Sequence, residues 1–593
     1  MPKVLQQKAA NGEIYLFSQG KRKRLANGKQ TTAKRISYGK LLADGSFCPN
    51  AYYESLPVAE KIALGIEKHP KPSLLEQQLS KTSAATRGRP KELLQGFRKA
   101  YGDSYLFMQI AQQLKIIQLL KQYWPNSWDK LLSIAMFMTI NHADSLYQLQ
   151  PWSRTHTVPA CSGLSSGNLS RLLDAMEEDD RQRFLTDWAA LRPSEDTYCV
   201  DGSSFSTMSQ YLRSARWGSN KEHDPYEQFN VLVAFGNESH LPLFISSHSG
   251  NIPDVSTIED FAHNMYGMDI RNTEFCFDRG FCSVTNITTL VKRGHRFVLA
   301  ARSLSVGYIK HVVKQVSLAD LVTLSSYNDE NELYGITRES TWTYSVNGEH
   351  KKKASVPLYL HIFYNPQMAL DKQKHEFSLI KELQRELRTK PDRAHLNLYE
   401  KHFTIDWGEQ NPYKKPEYDA QKKKRKRPPL QPPAACTVKS NISVSPRQFE
   451  DGLFVLLSNS QQDCWEAHRG YKKRWSVEKA FVNLKTRIGI RRIRSGQQTV
   501  VDSRLFIAFI SLILVSELEK RMADASLGSA LMRKYTLELL LKEFGSIDQY
   551  HYASKARHVT PITKKQKKLY DQLSINPPAR TMTDAEQAAC DFD

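Results

Sequence analysis

The sequence predicts a mixed α/β protein in which a β-rich insertion interrupts an α/β core, with one helical region before the core and another at the C-terminus. Strand-like and helix-like segments alternate over residues 195–302, and apolar residues recur at helical spacing over roughly 90–190. About 200 residues then separate the two halves of the core, far more than a connection requires. At 593 residues the chain is too long for one hydrophobic core, and its 40% of hydrophobic residues can form several.

The charge of the chain favours a polyanionic partner. Lysine and arginine number 83 against 62 aspartate and glutamate, a net charge of +21, and each cationic contact with nucleic acid releases condensed counterions. Ribosome-associated and membrane-surface proteins can have the same balance. The eight cysteines contain no C-x-x-C pair, which argues against a zinc ribbon or a disulfide framework and indicates reduced thiols in a cytosolic protein.

Nothing in the sequence predicts a membrane protein. Residues 1–17 lack the apolar run of a signal peptide. The most apolar segment, LFIAFISLILV at 505–515, is too short to span a bilayer and is followed directly by the charged SELEKR. We expect a buried helix there, in a soluble protein.

Residues 1–60 and 61–194 are both candidates for DNA contact. In the first, strand-like EIYLFSQ and RISYGKLLADGSFCPN flank the basic run GKRKRLANGKQTTAKR, which predicts a small β-hairpin unit with a DNA-contacting or merely solvated loop. In the second, SSGNLSRLLDAM is similar to the second helix of a helix-turn-helix, although a plain helical bundle is the commoner explanation. Its polar side would carry Ser165, Ser166, Asn168, Ser170 and Arg171.

Residues 195–302 predict the first part of a sheet of mixed direction. Three β-rich segments, TYCVDGSSFS, QFNVLVAFG and LPLFISSHSG, are followed by helix-like VSTIEDFAHNMYG, strand-like TEFCFDRGF, helix-like VTNITTLVKRG and strand-like HRFVLAAR. Three strands in a meander followed by alternating helix and strand is the ribonuclease-H-like order. We therefore expect a ribonuclease-H-like core.

Two aspartates of this core are candidate metal ligands. Asp201 ends the apolar run TYCV and Asp278 ends EFCF, and each stands just before or close to a glycine. A carboxylate at the end of a buried strand is costly unless a partner compensates it, and Mg²⁺ prefers carboxylate oxygens. Either residue could instead simply begin a turn. Two such residues, on the first and fourth predicted strands, favour the metal site.

The remaining regions surround a second part of the core. Residues 303–450 form the β-rich insertion, with the basic segment QKKKRKRPPLQPP at 421–433 as either a nucleic-acid patch or a flexible surface loop. A strand at 451–459 begins the second core part, 451–520. Residues 521–593 form a helical C-terminal region and are a candidate for dimerisation.

The second core part carries a charged pattern at helical spacing. Tyr471, Arg474, Glu478 and Lys485 have offsets of 0, 3, 7 and 14, which at about 100° per residue place them in a stripe roughly 60° wide on one helix. The apolar residues of a neighbouring stripe would face the core, so that the charged stripe borders the buried face. A glutamate there, flanked by cations, could hold a metal ion beside a phosphate backbone. An incidental solvated face has the same spacing.

This spacing matches the Tyr-Arg-Glu-Lys signature of the insertion-sequence 4 superfamily of DDE transposases. The segments VDGSS and FDRGF resemble that family's first and second Asp motifs, with Ser203-Ser204 where Thr-Ser is frequent. Residues 217–258 and the basic N-terminal pattern resemble the insertion-sequence 1634-like group. The likeness covers most of 1–60, 195–300 and 450–495, and it is weak over the insertion and the C-terminus.

The resemblance implies a mechanism and partners. Asp201, Asp278 and Glu478 would bind two Mg²⁺ ions, for which Mn²⁺ can substitute, and would catalyse DNA cleavage and strand transfer, with a hairpin as the expected route. Further implied partners are double-stranded DNA, as terminal inverted repeats and as target, and a second copy in a synaptic homodimer, in the nucleoid-containing cytoplasm of a bacterium. The implied DNA contacts are Tyr471, Arg474, Lys485, Arg279 and, for a flipped base, Trp342.

Two other classes of protein remain open on the sequence. A domesticated DNA-binding protein could keep the fold without catalysis, although the three acids argue against it. Another ribonuclease-H-like nuclease, such as a resolvase, could share the acids, although the Tyr-Arg-Glu-Lys spacing favours transposition. DNA cleavage and strand joining with Mg²⁺ distinguish the three classes.

Overall fold

The structure, a computed structural model, describes most of the chain from residue 4 to residue 580. The segments outside the described residues are 10–12, 21–34, 43–45, 67–96, 143–144, 161, 194–195, 210, 219–224, 272, 302–306, 347–352, 414–416, 420–423, 427–428, 440–449, 494 and 552–556. The N-terminal basic run lies almost wholly in one of these segments, and the side chains of the 421–427 basic segment also lie outside the described part. The chain divides into two compact units, residues 1–98 with 550–558, and 99–549 with 559–593.

The smaller unit contains an antiparallel sheet of four strands in sequential order. Its strands are β1 (Val4–Lys8), β2 (Ile14–Gln19), β3 (Arg35–Leu41) and β4 (Phe47–Pro49), followed by the short helices Ala51–Glu54 and Val58–Leu64. Alternation places Leu16, Tyr38 and Phe47 on one face, where they bury Tyr53. The strands predicted on either side of the basic run are therefore present.

A sheet of nine strands forms the centre of the larger unit, in the order β11-β12-β13-β18-β10-β9-β6-β7-β8. The strands after β4 are β5 (Phe97–Ala100), β6 (Thr197–Thr207), β7 (Glu227–Gly236), β8 (Pro242–Ser249), β9 (Glu274–Phe277), β10 (Arg296–Ala301), β11 (Tyr327–Asn328), β12 (Leu333–Ser345), β13 (Lys353–Tyr364), β14 (Phe403–Asp406), β15 (Glu417–Asp419), β16 (Lys424–Lys426), β17 (Ala435–Val438), β18 (Leu453–Ser458), β19 (Asp548–His551) and β20 (Arg557–Val559).

The predicted strand and helix order over 195–302 is present. Strands β6, β7 and β8 form an antiparallel meander, and β9 and β10 follow as parallel strands, each after a helix, Ile258–Gly267 and Val284–Lys292. The five strands lie in the spatial order third, second, first, fourth, fifth. Apolar runs such as VLVAF of β7 are buried because this sheet is covered on both faces.

The insertion contributes strands to this sheet. Strand β13 pairs with β18, which pairs with β10, so the long β12–β13 hairpin extends the core sheet. The rest of the insertion is largely helical, with helices Pro366–Thr389 and Leu396–His402. These helices have a small hydrophobic core of their own, which includes Leu387, Tyr399 and Phe403.

Helices from both ends of the larger unit pack together and share one hydrophobic core with the sheet. They are Gly102–Gln113, Ile116–Tyr123, Trp128–Ile140, Leu149–Ser153, Ser166–Asp174, Glu178–Ala190, Gln498–Gly528, Leu537–Gly545 and Lys564–Gln572. The described helices of 61–194 therefore share their hydrophobic core with the sheet. Helix Ser166–Asp174 packs on Gln498–Gly528 and buries Leu169 and Leu173.

The prediction of a buried helix at 505–515 is confirmed. The 31-residue helix Gln498–Gly528, called the long helix below, is apolar and long enough to cross a membrane, but 83% of its most apolar part is buried inside the structure. Because its neighbours are other helices of this chain, its composition is that of a core helix.

Two buried histidines beside the sheet predict that acid destabilises the larger unit. Burial lowers the pKa of His361 and of His468 to about 4, and each ring has a buried nitrogen without a hydrogen-bond partner in the described structure. In the unfolded chain histidine titrates near ~6.5. Stability should therefore be full above that pH and fall as the pH drops toward 4, by up to about 1.4 kcal/mol per pH unit for each histidine.

Denaturant unfolding across this pH range measures the effect. The double substitution His361→Gln and His468→Gln should make the fall shallower, and His240→Gln, at an exposed position, should leave it unchanged. An unaltered pH profile in the double variant would show that other groups control acid stability.

Candidate active site

The strand register brings Asp201 and Asp278 side by side. Strands β6 and β9 are parallel, and Val200 of β6 is paired with Phe277 of β9. The next residue on each chain is the aspartate. Asp201 lies in the middle of β6, not at its end as predicted, because β7 pairs with β6 over all ten residues from Tyr198 to Thr207.

The Tyr471–Lys485 pattern does not lie on one helix, in contrast to the prediction. The tyrosine helix, Cys464–Lys472, is separated by a tight turn from the glutamate helix, Trp475–Val482. In that turn the Arg474 N–H donates to the Tyr471 carbonyl, three residues back. The backbone hydrogen bonds that follow, from Ser476 and Val477, also reach three residues back. A π-helical turn, Asn483–Arg487, then carries Lys485; such turns are frequent at functional sites.

The turn places Arg474 among three carboxylates. Its Nη2 lies 2.8 Å from Glu478 Oε1, and its Nη1 lies 3.8 Å from Asp201 Oδ2 and 3.9 Å from Asp278 Oδ2. The side chain of Asp201 is 12% exposed, that of Asp278 33% and that of Glu478 55%. One guanidinium thus contacts acids from three distant parts of the sequence, and we call Asp201, Asp278 and Glu478 the acid cluster.

The electrostatics of the cluster keep Arg474 and Tyr471 protonated. Burial alone would lower the pKa of Arg474, but the charges of the Asp278, Asp201 and Glu478 carboxylates outweigh burial and raise the pKa. Burial, reinforced by the Asp278 charge, raises the pKa of Tyr471 well above its usual value. The Tyr471 hydroxyl therefore stays protonated and donates to Asp278 Oδ1 at 3.0 Å.

The other predicted DNA contacts lie at different distances from the acid cluster. Arg279 is exposed directly after Asp278. The Lys485 Nζ lies 5.3 Å from the centre of the Phe205 ring. Phe205 follows Asp201 by four residues on β6, and so lies about 13 Å further along the strand. The structure thus brings Tyr471 and Arg474 to the acids and places Lys485 beyond them.

The geometry of Trp342 is that of a core residue. It is 7% exposed, packs edge-on against Tyr308 at 5.5 Å between ring centres, and donates from Nε1 to Thr288 Oγ1 at 3.2 Å. A base could stack on this ring only after the side chain had left the core. The described conformation therefore does not support Trp342 as the site of a flipped base.

Sequence reasoning missed a fourth acid near the cluster. Asp254 lines a cavity of about 340 Å³ together with Gly202, Ser204, Asn230 and Gly280. A Cβ at Gly202 would lie 2.8 Å from Asp254 Oδ1. The glycine after Asp201 therefore leaves room for the Asp254 carboxylate close to the backbone. A Pro-Asp pair in a polar loop is a common turn signal and gave no reason to single out Asp254.

Residues 192–514 match the family of the transposase DDE domain, which covers more than half of the chain. The chain belongs to this family. A comparison with curated proteins finds no match. Among solved structures, a cryo-EM structure of the piggyBac transposase synaptic complex with hairpin DNA is 11% identical, with 79% of this chain and 80% of that chain covered and a TM-score of 0.30.

The donor atoms of this DDE domain suit a hard divalent cation, although Arg474 stands among them. Carboxylate oxygens are the ligands that Mg²⁺ prefers, and Asp201 and Asp278 are adjacent on neighbouring strands. Within the part of the chain that the structure describes, three or more acidic, histidine or cysteine side chains do not converge in a metal-binding arrangement. One oxygen of each of the three carboxylates lies instead within 3.9 Å of the guanidinium.

Removal of Arg474 should destabilise the metal-free DDE domain. Arg474→Gln leaves the buried Asp201 carboxylate beside Asp278 with no cation, at a cost of about 1–3 kcal/mol. Lys473→Gln, one residue earlier, is the matched control, because it breaks only an exposed ion pair with Glu238, worth roughly 0–1 kcal/mol. Unfolding in a chelator measures both, and equal losses would show that Arg474 does not stabilise the acids.

Proposed function

We propose that this chain is a DNA transposase that binds the ends of a mobile element and catalyses metal-dependent cleavage and strand transfer at Asp201, Asp278 and Glu478. The convergence of these three acids on Arg474, in a chain of the transposase DDE domain family, carries the proposal. The sequence motifs support a place in the insertion-sequence 4 superfamily, in its 1634-like group.

We further propose a ribonuclease-H-like core for this enzyme. The order β8-β7-β6-β9-β10, with β6 parallel to β9 and β9 parallel to β10, supports it. In this arrangement the first and fourth core strands lie at the centre and carry the two aspartates. Glu478 comes from a helix that packs against β6 and β7.

Asp201, Asp278 and Glu478 would hold two Mg²⁺ ions, or Mn²⁺ in their place. When bound, the ions supply activation of a water or a 3′-hydroxyl and stabilisation of the leaving oxygen during in-line displacement at phosphorus. The residues fit this role, because the three carboxylates already surround one positive charge.

The cationic and phenolic side chains would position the reactants. The Tyr471 hydroxyl fixes Asp278 through Oδ1 and leaves Oδ2 directed at Arg474. A planar guanidinium can hold a phosphate with two hydrogen bonds, so Arg474, once displaced from the carboxylates, would bind the DNA backbone next to them. Arg279, exposed directly after Asp278, and Lys485, over the Phe205 ring, would be further contacts to the DNA backbone.

The proposed partners follow from the chemistry. The net charge of +21 suits the polyanionic backbone of double-stranded DNA, both terminal inverted repeats and target. A hairpin route, a synaptic homodimer and a place in the bacterial cytoplasm near the nucleoid complete the proposal. These three rest on the resemblance of the Tyr-Arg-Glu-Lys signature and the Asp motifs.

Neutral substitutions in the acid cluster test the activity. Asp278→Asn and Glu478→Gln should each lower Mg²⁺-dependent cleavage of element-end DNA by at least about 100-fold, since metal-bound transition states lose several kcal/mol of stabilisation. Binding of the same DNA should change little. Glu466→Gln, an exposed acid on the tyrosine helix, is the matched control and should cut normally.

The same gel assay separates the proposal from its rivals. Cleavage and strand joining by the wild type, with loss in the two variants, supports the transposase. Wild-type protein that binds but never cuts in Mg²⁺ or Mn²⁺ indicates an inactive DNA-binding protein, and cutting without joining indicates another nuclease. Full activity of Glu478→Gln would remove Glu478 from the catalytic set.

A further inference from the structure

A segment at the far end of β6 exposes large aromatic side chains to solvent. Tyr211 is 82% exposed and Trp217 is 65% exposed, and Met208 beside them is also exposed. Soluble proteins seldom present such a cluster without a partner. Residues 208–209 and 211–218, together with Arg491 and Arg492, are called the distal surface below.

Four exposed arginines belong to the distal surface. Arg213 and Arg216 lie within the segment, and Arg491 and Arg492 lie on the neighbouring stretch; all four are exposed. In the β6–β7 register the acid opposite Thr207 is the half-buried Glu227. Positive charge therefore predominates among the described residues of the distal surface.

The distal surface is anchored to the DDE domain at both of its edges. Thr207 Oγ1 donates to the Ile493 carbonyl at 3.1 Å, and Ser206 forms a parallel bridge with Arg492. Backbone hydrogen bonds of 2.9 and 3.0 Å join Arg216 to Gln228 on β7. The Ser214 N–H and hydroxyl both donate to Gln498 Oε1 on the long helix. The exposed rings thus stand on a framework fixed to the core sheet.

This framework lies in line with the acid cluster. From Asp201 to Thr207 the strand rises by about 20 Å, at ~3.3 Å per residue. Lys485, over the Phe205 ring, lies between the two. Arg474 beside the acids, Lys485 over Phe205 and Arg492 beside Ser206 therefore add positive charge at successive points along β6.

We propose that the distal surface is a second DNA-contact site, which binds the element-end DNA about six nucleotides from the reacting phosphate, at ~3.4 Å per nucleotide. The arginines contact phosphates, and Tyr211 and Trp217 stack on bases that have left the duplex stack. Aromatic rings interleaved with cations are the usual surface for unpaired nucleotides, because every base has a face on which a ring can stack. This inference rests on the proposed function.

A fluorescent base analogue tests the position and the stacking. Element-end duplexes carry 2-aminopurine singly at successive positions from the cleavage point, and Asp278→Asn protein prevents turnover during the measurement. Binding should change the emission most near the sixth position, and Tyr211→Ala or Trp217→Ala should abolish that change. A double substitution, Arg213→Ala with Arg216→Ala, should reduce the log–log salt slope of binding by about two.

A second exposed tyrosine supplies the matched control. Tyr266 is 45% exposed and lies between Arg271 and Arg293, with the guanidinium carbons 5.1 and 5.2 Å from its ring centre. It lies in the last turn of the helix that leads into β9, and so near the N-terminal end of β9, whereas Asp278 follows the C-terminal end. Tyr266→Ala and the double substitution of its two arginines should leave emission and salt slope unchanged.

The outcomes separate the two proposals. If the wild type cuts the DNA but the Tyr211, Trp217 and arginine variants behave like the controls, the distal surface does not contact DNA and the transposase function stands. The same conclusion holds if these variants bind and cut DNA normally and lose only the binding of another protein. If the wild type neither binds nor cuts element-end DNA, the proposed function fails and this inference fails with it.

Discussion

The ion pairs between Arg474 and three carboxylates are the interaction on which the functional part of the structure depends. Asp201 comes from the middle of the first core strand, Asp278 from the end of the fourth, and Glu478 from a helix two hundred residues further along the chain. Buried like charges repel unless a cation compensates them. The Arg474 guanidinium provides that cation at 2.8 to 3.9 Å from one oxygen of each carboxylate.

Much of the fold serves to bring these parts to one point. The parallel pairing of β6 with β9 fixes the two aspartates, and β18 returns the chain from the insertion to the sheet. Asp463 then caps the tyrosine helix, through hydrogen bonds from the Trp465 and Glu466 N–H groups. The turn at Arg474 aims the guanidinium at the sheet, and the long helix lies next to the glutamate helix, where Glu519 forms an ion pair with Lys479 at 3.0 Å.

The sequence predicted the strand and helix order of the core, the buried long helix and the acids, because these depend on local apolar runs and their ends. The sequence could not show the turn at Arg474. Backbone hydrogen bonds between residues three apart, as in this turn, leave the side chains at nearly the same spacing as an α-helix does. The pairing of β13 with β18 is a contact between distant segments, and Trp342 joins the core through its strand pairing with β13, its Tyr308 contact and its hydrogen bond to Thr288. Asp254 was missed because its loop has ordinary turn composition.

We propose that metal ions bind at the acid cluster and that Arg474 then moves from the carboxylates to a DNA phosphate. Anomalous diffraction from crystals grown with Mn²⁺ and element-end DNA measures this directly. The account predicts manganese peaks within bonding distance, roughly 2.0–2.2 Å, of Asp201 and Asp278 oxygens, with Arg474 moved onto a DNA phosphate. The opposite result would be a crystal with bound DNA but without manganese at the acid cluster, in which Arg474 still contacts all three carboxylates. That result would rule out metal binding by these acids.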